Sequence, residues 1–160
     1  MTLHWQTLAQ RIRMEIAEID QAVDTATQHW QRYQNAIEDR PAFLNSVALN
    51  LHSFYNGTER ALELIAREMD GGPLGGDMWH TELLRQMRLE LPDVRPAVLS
   101  EATCYALDEY RKFRHLVRHS YATRLEAAKI VPLVEKLPAT WQQVKSQLLD
   151  FAEFLSELSR

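Results

Sequence analysis

The chain has 160 residues, of which 46% are hydrophobic and 25% charged, a balance that excludes a disordered or fibrous protein and fits one soluble globular unit. Its net charge of −4 excludes a protein that coats nucleic acid by bulk electrostatics. A single cysteine, Cys104, excludes an internal disulfide and a cysteine-based zinc site, and the length suits one domain over residues 1–160.

Leu8, Ile12, Ile16, Ile19, Val23, Ala26, Trp30, Tyr33 and Ile37 follow one another at steps of three or four. That spacing predicts one long amphipathic helix over residues 3–38. Arg40-Pro41 ends it, because a proline pushes the preceding residue out of the helical region and offers no backbone donor. Pro41 then opens a second helix, along which Leu44, Val47, Leu51, Phe54, Tyr55, Thr58, Leu62, Ile65 and Met69 keep the helical spacing. Residues 71–76 hold four of the five glycines. They form a loop and not a phosphate cradle, since no strand precedes them and no nucleotide-binding spacing is present.

Asp77 is the expected cap of a short helix that carries Trp79 and His80 and closes near Leu91-Pro92. A third long helix begins around Pro96 or Ser100 and turns Leu99, Thr103, Ala106, Tyr110, Phe113 and Val117 toward the core. Its pattern weakens near Ser120. A further helix is expected from about Leu125 to Glu135. Pro138 then begins a last one, filled by Trp141, Val144, Leu148, Phe151 and Leu155. Strand-type alternation and internal repeats are absent, so the fold class is all-α, an antiparallel bundle of four to six helices. The opening MTLHWQTLAQ has neither the basic patch nor the apolar run of a secretory signal, and no stretch approaches about 18 uninterrupted apolar residues. The expected location is the cytoplasm.

Between residues 111 and 124 stand Arg111, Lys112, Arg114, Arg118 and Arg124, with His115 and His119 and no acidic residue among them. At about 100° per residue, Arg111, Arg114, His115 and Arg118 share one polar face, away from Tyr110, Phe113 and Val117. A solvated basic face is the bland reading. The chemical reading starts from the residue types: histidine exchanges a proton near neutrality, and arginine grips phosphate oxygens with paired hydrogen bonds. In phosphoryl chemistry on RNA, His119 would deprotonate the ribose 2′-hydroxyl or protonate the leaving oxygen, and Arg114 would stabilise the developing charge. Five residues of regular helix set these two about 140° apart. Convergence therefore needs the helix to unwind at Ser120 or a second copy of the motif across a two-fold interface. The four-residue spacing of His115 and His119 also suits two zinc ligands on one helix, yet no further ligands accompany them and the neighbouring arginines repel a cation.

The run Arg114-His115-Leu116-Val117-Arg118-His119-Ser120-Tyr121 reads Arg-x-x-x-x-His-x-Tyr and resembles the signature of the HEPN superfamily, most closely that of its HepT-like toxins. Phe54-Tyr55-Asn56-Gly57-Thr58-Glu59 resembles the corresponding family helix. The resemblance implies a dimeric helical bundle acting as a metal-independent endoribonuclease without a cofactor, with Arg114 and His119 as the catalytic pair. It further implies a small nucleotidyltransferase antitoxin that attaches adenylate to the motif tyrosine, here Tyr121. Arg111, His115, Arg118, Ser120 and Glu59 are the expected RNA-binding or supporting residues. His115 departs from the family pattern, which commonly has asparagine or another small polar residue there. For Glu59, an ion-paired or solvent-facing role is the bland alternative, and for Trp79 and His80 it is the pinning of a short helix. A non-catalytic adaptor that keeps the fold and binds RNA, nucleotide or a protein partner is the alternative function.

Overall fold

A computed structural model of the chain describes residues 2–72, 74–119 and 126–160, with the side chains of Arg118 and His119 outside that description. Its helices are α1 (Thr2–Asn35), α2 (Arg40–Met69), α3 (Trp79–Met87), α4 (Glu101–His119) and α5 (Ala127–Leu158). Among the described residues there is no strand, only one isolated bridge between Leu91 and Arg95. The all-α bundle expected from the periodicity is what forms.

The apolar stripe of α1 lies against α2 and α5. Its pairing with α2 is antiparallel: His4 meets Glu68, Glu15 meets Arg60 and His29 meets Ser46. α5 returns antiparallel to α1, with Trp141 Nε1 and Lys145 Nζ both donating to Asp20. Burying these stripes is what makes the long helices stable, since propensity alone leaves helices in water marginal. Gly57 marks a close approach of α1 and α2, where a Cβ would stand 2.6 Å from Ile19 Cγ1.

Several boundaries differ from those the sequence predicts. α1 stops at Asn35, three residues early, and Ile37, assigned to the buried stripe, is 98% exposed. The chain turns instead through Asp39 at a positive φ of 61°, so that Pro41 falls in the first turn of α2. Asp77 caps nothing: the residue ahead of α3 is Met78, with no side-chain capping bond. α3 closes at Met87, not near Leu91. Beyond it, Arg95 binds Asp70 through two contacts of 2.7 Å and also donates to the carbonyl oxygens of Leu89 and Pro96. This buried pair orders the connection as a non-helical turn. Ser100 caps α4, its Oγ accepting from the Thr103 backbone N–H.

The largest difference lies at the C-terminal end. The expected pair of helices is one, α5, with Pro132 and Pro138 inside it. Each proline forfeits a helical hydrogen bond. Ile130, Val134, Leu137, Trp141, Val144 and Leu148 nonetheless hold an unbroken buried stripe across both, and that burial outweighs the local cost.

Candidate functional site

α2, α3 and α4 meet one another, and three ionisable side chains converge where they do. Phe113 and Tyr110 are buried and seat α4 on the core, Tyr110 edge-on to Phe54 of α2. Leu83, Leu84 and Met87 are buried along one side of α3. That packing brings the first turn of α3, with His80, beside Glu59 of α2 and Arg114 of α4.

Glu59 is the hub. Its side chain is 4% exposed, its Oε2 lies 2.7 Å from His80 Nδ1, and its Oε1 lies 3.5 Å from Arg114 Nη1. A carboxylate only accepts, so the short contact puts the proton of His80 on Nδ1, pointing at Glu59. Arg114 Nη1 is also 3.3 Å from His80 Nδ1. Both atoms are then donors, and that contact is a close approach and not a hydrogen bond. Opposite charge and shared burial hold the three together.

Around this hub lie groups whose hydrogen-bonding capacity is unspent. Arg114 Nε and the Tyr55 hydroxyl are buried without a protein partner of good geometry. Tyr55 stands one turn before Glu59; burial first, and the Glu59 charge second, hold its phenol far above the ordinary range, so it is a neutral donor facing a carboxylate. Glu63, one turn after Glu59, has its pKa raised by burial and then by the Glu59 charge. An unsatisfied buried donor costs about 1–3 kcal/mol, so each such group calls for a physical account.

The residues marked out by the sequence are placed unevenly. Arg114, expected on an outward basic face, turns inward and is 14% exposed. Glu59 joins it as an ion-paired residue. Arg111 pairs with Asp108 at 2.6 Å, and Lys112 lies 3.3 Å from Glu109, so acids of the preceding turn partly neutralise the basic run. His115 is on the exposed side of α4. The backbone of α4 remains helical through His119, while the side chains of Arg118 and His119, and all of Ser120 and Tyr121, lie outside the described residues. No group of three potential metal ligands occurs among the described residues.

Two members of the cluster escaped the sequence reading. For His80 the sequence favours the pinning of a short helix over contact with RNA, and Tyr55 stands in the apolar stripe and in the family-like segment of the second helix without a role of its own. The available signal was an acid, Glu59, one turn from Tyr55 on the side of α2 that carries the buried stripe.

A family model described as HepT-like protein matches residues 46–155. No curated protein and no solved structure matches the chain. The matched range holds Glu59, His80 and Arg114 and most of the bundle that brings them together, and the chain belongs to the HepT-like family of the HEPN superfamily.

Proposed function

We propose that this protein is a metal-independent endoribonuclease toxin, working as a homodimer on tRNA or mRNA in the cytoplasm and silenced by a nucleotidyltransferase antitoxin acting on Tyr121. The observation that supports this reading most is Arg114, a motif arginine drawn inward onto a buried carboxylate with its Nε unspent. An arginine pre-positioned in a site poor in water is suited to the charge that develops on a phosphate in the transition state. In this reading His119 exchanges the proton, and the two-fold partner brings a second motif to the same groove. Arg111, His115, Arg118 and Ser120 guide the RNA strand.

The test is cleavage of total RNA and tRNA with chelator present, comparing wild type with His119→Ala and Arg114→Ala. Wild type cuts, and each variant loses about 100-fold or more, the usual scale for a lost acid–base group or charge stabiliser. Equal activity in all three, or none in a well-folded wild type, sinks the proposal.

The second reading is the non-catalytic adaptor. It draws on the pairing of Arg111 with Asp108 and of Arg114 with Glu59, which gives both arginines a role in holding the fold. An adaptor that binds RNA would show steeply salt-dependent affinity, with the arginines mattering more than His119.

A further inference from the structure

We propose that His80, oriented by Glu59, is the general base of RNA cleavage at this site and takes the proton of the ribose 2′-hydroxyl beside Arg114. The inference rests on the ribonuclease reading and adds to it a residue outside the motif.

Three observations carry it. The 2.7 Å contact between His80 Nδ1 and Glu59 Oε2 fixes the tautomer, leaving the lone pair on Nε2. Nε2 has no protein partner among the described residues, and the side chain is 26% exposed while its carboxylate is almost fully buried. Arg114, the phosphate-binding group of the proposed site, has Nη1 3.3 Å from the same ring. A buried carboxylate behind an imidazole whose far nitrogen is open is the arrangement that orients a base and steadies the cation formed on protonation.

The charged groups facing His80 are Arg114 from α4 and Glu59 and Glu63 from α2, and the Trp79 ring, 3.6 Å away, covers one face. The helix geometry also leaves a place for such a residue. Within one chain, α4 sets positions 114 and 119 about 140° apart around its axis, while His80 stands beside Arg114.

The step balances without a co-reactant. Nε2 takes the 2′-hydroxyl proton as the O2′–P bond forms and the P–O5′ bond breaks, and the 5′ oxygen receives a proton from His119 of the second motif that the two-fold partner brings in the proposed function. The products are a 2′,3′-cyclic phosphate and a 5′-hydroxyl, and solvent exchange restores both imidazoles.

His80→Asn keeps a donor toward Glu59 but cannot accept a proton, and His80→Ala removes both properties. The full chain is assayed on an RNA that wild type cuts, and on the same RNA with sulfur replacing the bridging 5′ oxygen at the cut, a leaving group that needs no acid. H80N is expected to lose about 100-fold in kcat with KM and melting temperature near wild type, and to lose the acidic limb of the pH–rate profile. The sulfur substrate restores H119A and leaves H80N slow. Wild-type rates in H80N, with only H80A destabilised, reduce His80 to a helix anchor; rescue of H80N by sulfur makes it the acid. Either overturns the proposal while the ribonuclease reading stands, whereas an inert wild type removes both.

Discussion

Glu59 decides more at the residue scale than any residue of the basic run. A buried carboxylate is tolerated only with partners, because desolvation of an unpaired charge costs several kcal/mol. Its partners here come from two other helices, so the ionic pairing also aligns α2, α3 and α4. Glu63 has the opposite balance. Its pKa in the fold is raised by burial and by Glu59, so the fold favours its protonated form, and the associated stability is lost as pH rises from the unfolded value of about 4.3. Glu63→Gln is therefore expected to unfold at higher urea than wild type at pH 7, with the gap closing toward pH 4. A Gln variant less stable than wild type at pH 7 would show that Glu63 is a net favourable ion pair. The sequence marked Arg114 and Glu59 as candidates. It did not disclose that they touch, because 55 positions separate them, and nothing local to His80 announces a carboxylate on another helix.

At the scale of the element, stripes of apolar residues were legible and ends were not. The core of α1 follows the three-and-four spacing from Leu8 to Ala26 and that of α2 from Val47 to Ile65, whereas in α4 Leu107 is buried and Ala106, expected inward, is only half-buried. The ends depend on capping and tertiary contacts: Asp39 takes a positive φ, Met78 precedes α3 in place of Asp77, and the Asp70–Arg95 pair closes a turn. Pro138 misled for a related reason, since local chemistry argued for a break there and long-range burial overrode it, as it also does at Pro132 inside the same helix. The α1–α2 crossing at Gly57 offers a direct check. Gly57→Ala is expected to destabilise by about 1–3 kcal/mol through overpacking against Ile19, against a helix-propensity gain of about 1 kcal/mol. In an Ile19→Ala background the same change should be neutral or stabilising in urea unfolding. Equal costs in both backgrounds would place the strain elsewhere.

For the whole molecule, a net charge of −4 and a basic run partly paired with its own helix leave little general attraction for RNA. On the proposed ribonuclease function, recognition then depends on one site where a few groups are pre-positioned. The bundle provides this by setting three helices around a buried carboxylate, with the motif's histidine and tyrosine following directly in the chain. The central claim, that this site cleaves RNA by attack of its own 2′-hydroxyl without a metal, has a chemical signature in the products. The decisive measurement is the identity of the new RNA ends formed by the wild-type protein in excess chelator. The account predicts 2′,3′-cyclic phosphate and 5′-hydroxyl ends, and no cleavage where a 2′-O-methyl group replaces the hydroxyl at the cut. Ends bearing 5′-phosphate and 3′-hydroxyl, or an activity that the chelator abolishes, would contradict it.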